Sequence, residues 1–594
     1  MKQPLRSEMG GDVAPENDQH PAVSLVVAKG EAAREVTACE ALVEALAALG
    51  VTHAFGLTGG AVAPFCSAVA ESPIRLMHFR HEAGAAFAAV ELSLATGRPV
   101  VVFATTGPGL ANCLTGMIAA RWEGARVIFV TGATASPQRG RWAFQETSAY
   151  TLPTGDLFAP GALFHFAAMV ESPQELALAA ARIRAGLARP DGFVAHLGLP
   201  MNLQTAPAAD VAPARFESLA PPACADVDAA RCAALLAAEP FVIWAGFGAR
   251  HASDAVRELA RRSGARVMCS PRAKGVFPED HPQYLGVTGL GGHDRVLREM
   301  RAAPPARVLV LGSRLGEFTS FWSGDLVPPG GLVHVDVDPA AFGAAYPEAP
   351  TLAVQSEVGA FLRAVLARWP DDVPAHATPR AVPSATERAP HAEGLVRPSY
   401  LMERLQRLVV EGSDAVVLTE AGNSFALGSH HLRFRDPLRY RVSSGYGAMG
   451  HATTGVVGAA LGPARKAVAL VGDGAMLLAS EVNTAAQYDV DAVWVVLNDA
   501  RYNMVECGMR SGGMRPCETE FPRADFVGVV RATGGDGVAV EREADVDAAL
   551  LRAMAARGPF VVDVIVDPTE PAPTGRRFAS LCDQGAARVD EVRP

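Results

Sequence analysis

Along most of the chain, short apolar runs rich in β-branched residues alternate with longer Ala- and Leu-rich stretches at helical spacing. The runs include VVVFATT from Val100, ARVIFVTG from Ala125, PFVIWAG from Pro240 and ARVLVLGS from Ala306. Later ones are DAVVLTE from Asp414, KAVALVGDG from Lys466, DAVWVVLND from Asp491 and PFVVDVIVD from Pro559. Strands that are apolar on both faces and separated by helices belong to parallel sheets covered on both sides. The pattern predicts an α/β fold in which each domain is a doubly wound, mostly parallel sheet. Ligands of such sheets bind beyond the carboxyl ends of the strands. The Gly-rich loops that follow several runs are therefore where a site is expected.

Two Pro/Ala-rich stretches interrupt the alternation and read as extended linkers. They set linkers at 204–224 and 369–395 and domains at 33–203, 225–368 and 396–575, with tails at 1–32 and 576–594. A length of 594 residues suffices for three such domains. The net charge of −10, without a dense Lys/Arg stripe, excludes nucleic acid as a partner. The absence of any run of about 18 apolar residues argues against a membrane span. The first thirty residues lack the charged start and apolar core of a secretory signal. Nine scattered Cys without a CxxC pair fit reduced thiols in a cytoplasmic protein.

The chemistry concentrates in the third block. A buried run ends at Gly472-Asp473-Gly474, a helix follows, and the next run ends at Asn498-Asp499. Two hard oxygen ligands thus fall at the ends of neighbouring strands. The glycines let backbone approach a phosphate, and the following helix aims its N terminus at it. Mg²⁺ takes one or two side-chain oxygens together with phosphate oxygens. A lone GDG is usually a helix-capping turn; joined to a strand ending in Asn-Asp it is far more specific.

These residues resemble the thiamine-diphosphate enzyme superfamily and, within it, the acetohydroxyacid (acetolactate) synthase group. The resemblance spans about 33–575. It implies Mg²⁺ held by Asp473, Asp499 and the carbonyl of Arg501, with Gly472, Gly474, Ala475 and Asn498 lining the cofactor. Asp499 departs from the Asn usual in the family and adds a second negative charge beside the diphosphate. The segment SSGYGAMGHATTG (443–455) is similar to the family's GLGTMG stretch, which places Gly447 and Met449 against the cofactor, Met449 as the prop of its bent shape. TEAGNSF (419–425) is similar to the diphosphate loop, with Gly422, Asn423 and Ser424 at the contact positions. His430 and His431 follow on a helix that the family directs away from the chemistry.

Thiamine chemistry also needs a carboxylic acid at the far pyrimidine nitrogen, a task for a protected Glu. RHEAGAAFAAVELS, followed by TTGPGLAN (105–112), resembles the family pair RHEQGAAHMA and TSGPGATN, which makes Glu82 the proton-holding group. VTHAFGLTGGAVAPF (51–65) resembles the family's VFGxPGGAILP opening, which implies Gly59 and Gly60 near the reactive carbon, and WAFQE resembles its DAFQE, which implies Gln145 as a hydrogen-bond donor to substrate. In this family the first domain of one chain meets the third of another, so the resemblance implies a homodimer or homotetramer.

The middle block shares KGVFPEDHP (274–282) and VHVDVDP (333–339) with the group, whose members bind FAD there without redox use. Gly246, Gly248 and Asp336 stand at suitable strand ends; bound FAD and its loss are both open. Two departures concern the substrate pocket. Phe318 replaces an Arg that grips the acceptor carboxylate, and Gly508, after Met504, replaces a Trp wall. A carboxylate would lose a bidentate partner and the pocket would gain room. The expectation is a carboligase that decarboxylates a 2-oxo acid, with pyruvate the expected donor, and passes the acyl carbanion to a larger or uncharged carbonyl acceptor. A plain decarboxylase, an FAD-linked oxidase and a non-catalytic homologue are the alternatives. The intact Glu82, Met449 and Asp473 set argues against the last.

Overall fold

The computed structural model describes residues 35–146, 148, 150–151, 155–161, 163–208, 223–370 and 389–586. It contains three six-stranded sheets, and all their strand pairs are parallel. The first has spatial order Arg75–His78, His53–Gly56, Val100–Ala104, Arg126–Ala133, Phe193–Pro200, Phe166–Met169. The second runs Thr351–Gln355, Leu332–Asp336, Arg307–Leu311, Phe241–Ala245, Arg266–Cys269, Tyr284–Val287. The third runs Tyr440–Val442, Val416–Thr419, Ala467–Gly472, Ala492–Asn498, Phe560–Ile565, Asp536–Val540. The apolar runs become the central strands because only residues like Val100–Ala104, buried throughout, tolerate helices on both faces. In the third sheet the chain steps outward from Val416–Thr419 to Tyr440–Val442, then crosses back to Ala467–Gly472. That reversal opens a crevice at the carboxyl ends of these strands.

Two helices join the first and third sheets. The Glu82–Thr96 helix is capped by His81, whose Nδ1 accepts from the Ala83 N–H, and is stopped by Gly97 in the left-handed region. Its small residues let it press on the His451–Ala460 helix. A Cβ on Gly458 would lie 1.9 Å from the Ala88 carbonyl oxygen, so only glycine fits there. One core consequently runs from Phe55, Val102 and Phe129 through Ala88 and Val456 to Val471 and Trp494. Inside this contact His451 Nε2 donates to Glu91 Oε1 at 2.8 Å, with both side chains buried. Burial disfavours both charges, yet the contact outweighs it: Glu91 titrates below and His451 above its ordinary range.

The second domain docks on the third where the fully buried Lys274, paired within its own domain with Glu279 Oε2 at 2.6 Å, donates from Nζ to the Ser429 carbonyl, and the Glu279 N–H donates to the Phe434 carbonyl. The expected tail at 1–32 lies outside the described residues, as do positions 209–222 and 371–388 of the linkers. The segment from 576 requires a correction. Gly575–Asp583 is a helix rather than a tail, because Glu317 of the second domain accepts from Arg577, Ser580 and Gln584. Among the described residues no helix is long and apolar enough to cross a membrane.

Glu91→Gln leaves the buried His451 and the nearby Arg441 guanidinium without a counter-charge. The substitution should cost about 3–5 kcal/mol, read as a lower denaturant midpoint; a change under about 0.5 kcal/mol, the scale of a neutral surface substitution, would show the pair to be dispensable.

Candidate active site

The crevice of the third sheet is lined by four loops. Asp473 opens a single helical turn directly after its strand; Oδ1 accepts from the Gly474 N–H at 2.8 Å and Oδ2 from the Ala500 N–H at 2.6 Å. Asp499 follows the neighbouring strand, and its Oδ2 accepts from Asn503 Nδ2 at 2.5 Å. Burial and the charge of Asp499 push the Asp473 carboxyl up to about 6, and burial raises Asp499 as well. Two mutually repelling buried carboxylates are a place for a divalent cation. Among the described residues no group of three or more His, Cys, Asp or Glu forms a metal site. Side chains thus offer two oxygen ligands, which leaves the rest to backbone (the Arg501 carbonyl) and to phosphate, a donor set that suits Mg²⁺.

The phosphate side fits too. A Cβ on Gly422 (φ +103°), Gly447 (φ +64°) or Gly472 would meet nothing within 4 Å, so the three loops border open space. The Asn423–His431 helix starts at Gly422, and its N terminus suits an anion. Met449, about half exposed, stands at the rim, and Ala475 is buried beneath.

Three residues expected to line the cofactor have protein partners of their own. Asn498 is fully buried and its side chain engages Asp563 at 2.9 Å and Arg523 at 3.0 Å, holding two strand ends together. Ser424 donates to the Glu420 carbonyl at 2.8 Å, back onto the loop that precedes its helix. Gly474 faces the Tyr502 ring, 2.5 Å from where its Cβ would stand, so Tyr502 requires this glycine.

Residues missed in the sequence hold the loops. Glu420, buried just after its strand, accepts from Gly450 N, Thr453 N and Thr453 Oγ1. It thereby pins the turn that carries Met449. Glu123 accepts from Ser443 Oγ at 2.8 Å, and Ser443 Oγ accepts from Gly447 N at 3.2 Å. A carboxylate placed directly after a strand end was the available signal for Glu420; nothing local marks Glu123.

In the first domain Glu82 is buried at its helix start, and its Oε2 accepts from Asn112 Nδ2 at 3.0 Å. Gly109 packs beside Glu82 Oε1, Gly59 against Thr105, and Gly60 borders open space. Gln145 lies in the left-handed region (φ +59°); its carbonyl accepts from Thr106 Oγ1 and comes within 2.6 Å of where a Cβ on Gly107 would stand. The Glu82 helix also approaches the third domain of its own chain: Arg80 and His81 N–H groups donate to Glu481. His430 points Nδ1 at the Gly291 carbonyl of the second domain, away from the crevice.

The substrate-pocket expectation changes most. Phe318 packs edge-on to Phe425, 5.7 Å between centroids. Met504 is half-buried against the third-domain core. The room expected at Gly508 is taken: a Cβ there would lie 2.9 Å from the Phe578 ring. Between the second domain and the loops of the other two lies a cavity of about 330 Å³, lined by Arg126, Arg250, Arg272 and Arg314 and also by Glu123, Asp191, Asp336, Asp338 and Glu357. Burial and neighbouring arginines lower Arg250 to about 9, and burial raises Asp336. The guanidiniums could meet the phosphates of a nucleotide such as FAD and a strand-end acid its ribose, although the five carboxylates leave the lining without a net positive charge.

The chain matches the thiamine pyrophosphate enzyme N-terminal TPP-binding domain over residues 36–152, the central domain over 229–365 and the C-terminal TPP-binding domain over 420–564. It is 30% identical over 507 residues to a protein of Pseudomonas aeruginosa named "Probable 2-ketoarginine decarboxylase", covering 82% of this chain and 87% of that one. It is 27% identical to acetolactate synthase isozyme 2 large subunit of Escherichia coli, with 89% and 95% covered. A thiamine diphosphate-dependent 4-hydroxybenzoylformate decarboxylase of Rhodococcus jostii shares its fold, with TM-score 0.78, 21% identity, and 90% and 100% of the chains covered.

The raised Asp473 and Asp499 carboxyls bind protons more tightly folded than unfolded. Cofactor-free protein should therefore lose thermal stability as pH rises from about 4 to about 6. Mg²⁺ with thiamine diphosphate should reverse the loss above pH 6, and Asp499→Asn should shrink it; a flat profile in the wild type would count against the paired-carboxylate reading. Glu82→Gln should abolish turnover while the cofactor still binds, measured by calorimetry beside an activity assay.

Proposed function

Because the chain belongs to the thiamine pyrophosphate enzyme family, we propose that it is a thiamine diphosphate- and Mg²⁺-dependent carboligase. It would decarboxylate a 2-oxo acid, pyruvate first among them, and pass the acyl carbanion to a carbonyl acceptor. The observation that carries this reading is the strand-end crevice in which Asp473 and Asp499 stand together beneath open glycine loops. Asp473, Asp499 and the Arg501 carbonyl would hold Mg²⁺, and Gly422 with the Asn423 helix start would take the diphosphate. Bound there, thiamine diphosphate supplies the electron sink for cleaving the carboxylate from the carbonyl carbon. Glu82 would hold a proton at the far pyrimidine nitrogen, with Asn112 fixing its carboxyl orientation. Gln145 would donate to substrate.

The cavity between the domains would take FAD or a related nucleotide. Large apolar side chains stand exposed at Trp142, Phe144 and Tyr150 in the Gln145 loop and at Met449, Leu477 and Leu478 around the crevice. Apolar surface of this kind supports self-association as a homodimer or homotetramer. The free thiols among the described residues fit a cytoplasmic setting.

Purified holoenzyme should release carbon dioxide from pyruvate and yield a ligated product, by mass, when a carbonyl acceptor is present. Release of carbon dioxide with acetaldehyde as the lone product would make the enzyme a decarboxylase, as the names of several relatives suggest. Reduction of bound flavin on adding substrate would make it an oxidase.

A further inference from the structure

Glu82 opens a helix whose entry is not fixed by its own domain alone. Glu481 reaches that entry from the third domain, and its side chain is fully buried. Oε1 accepts from the His81 N–H at 3.0 Å and Oε2 from the Arg80 N–H at 3.1 Å, the two peptide groups that precede Glu82. Thr484 Oγ1 donates to Oε2 at 2.5 Å and Ser480 Oγ to Oε1 at 3.3 Å. Burial pushes the Glu481 carboxyl up, and these neutral donors work against it. Gly84 leaves the room required: a Cβ there would stand 2.8 Å from Glu481 Cγ. Neighbouring contacts repeat the link. Arg80 Nε donates to Asn483 Oδ1 at 2.5 Å and Nη2 to Gln487 Oε1 at 2.6 Å, and the His78 N–H donates to the Tyr488 hydroxyl at 2.7 Å. The stretch that makes all these contacts follows the Asp473–Met476 turn.

We propose that Glu481 is a positioning residue for Glu82: it fixes the two peptide groups before that acid and so ties the acid to the stretch of chain that carries Asp473. The inference rests on the reading of Glu82 as the proton-holding group and goes beyond it by naming what sets its place. Asn112 steadies the Glu82 carboxyl, but a side-chain contact cannot place an acid whose backbone is free to shift. Glu481 removes that freedom, because Arg80 and His81 cannot move without breaking a buried hydrogen bond. The residue type follows from the task. Only a carboxylate accepts through both oxygens; an amide would turn a donor toward one of the two N–H groups. The partial positive charge at the first turn of a helix also favours an anion there.

The test uses Glu481→Gln, Thr484→Val and Glu82→Gln in protein loaded with thiamine diphosphate and Mg²⁺. Exchange of the cofactor's thiazolium C2 hydrogen with deuterium oxide, followed by NMR after acid quench, reports the proton transfer that depends on Glu82 without any substrate. Glu481→Gln should slow this exchange by about 10- to 100-fold, the scale set by a small misplacement of a reacting group, while the Kd of thiamine diphosphate stays that of the wild type. Combined with Glu82→Gln it should slow the exchange no further, since it acts through that residue. Wild-type exchange in Glu481→Gln, or a full multiplicative loss in the double variant, overturns the positioning role. Thr484→Val removes one hydroxyl donor to Glu481 and should give a smaller loss; it decides the matter if Glu481→Gln does not fold, and wild-type exchange then overturns the proposal. Failure of the Glu82 reading shows separately, as cofactor exchange untouched by Glu82→Gln. Cofactor-free protein then decides the clamp: the Arg80 and His81 amides should exchange about 10-fold faster in Glu481→Gln, and unchanged protection overturns it.

Discussion

The close crossing of the Glu82–Thr96 and His451–Ala460 helices is the contact on which the rest of the molecule depends. It is possible because Gly458 offers no Cβ to the Ala88 carbonyl. Through it the first and third sheets share one core, and both helices begin at functional groups. One starts with Glu82; the other follows the Met449-Gly450 turn. Glu82 and the Met449 turn are thereby referred to the same rigid joint rather than to two independent loops. The buried His451–Glu91 pair sits inside the joint, where a mismatched register would leave two charges unpaired.

The second domain is tied to the same loop by charge. Arg272 lines the cavity between the domains and pairs there with Glu123 of the first domain at 2.8 Å. Glu123 accepts from Ser443, and Ser443 accepts from the Gly447 N–H. One ion pair and two hydrogen bonds thus connect the cavity to the loop expected to hold the thiamine ring. An anion in the cavity would compete with Glu123 for Arg272. The occupancy of the cavity and the cofactor loop are for that reason not electrostatically independent.

How much was legible in the sequence follows the range of the interactions involved. Buried parallel strands announce themselves within five or six residues, and the GDG turn and Asp499 sit at strand ends that such runs define. What depends on distant partners was not readable. The amide of Asn498, a residue expected to line the cofactor, is held by Asp563 and Arg523, 65 and 25 positions away. The hydroxyl of Ser424 turns back onto Glu420, a choice open to any Ser in a first helical turn. Glu123 acts on Ser443 across 320 positions, and no local pattern marks such a pair. The helix at 575–583 looked like a tail because its docking partners, Glu317 and Asp294, lie in another domain.

That last case bears on how a missing side chain is interpreted. Compared position by position, Phe318 removes a cation and Gly508 removes a ring, and both losses point to a wide, uncharged pocket. In space the glycine is what lets Phe578 sit where it does, since a Cβ at 508 would meet that ring at 2.9 Å. Likewise the Phe318 ring is the surface on which the Arg577 guanidinium lies. The substitutions and the C-terminal helix are therefore two halves of one packing solution, each side of which makes sense only with the other. A pocket is defined by the atoms that bound it, whichever part of the chain they come from, so the loss of a familiar residue indicates lost chemistry only after its neighbours have been counted.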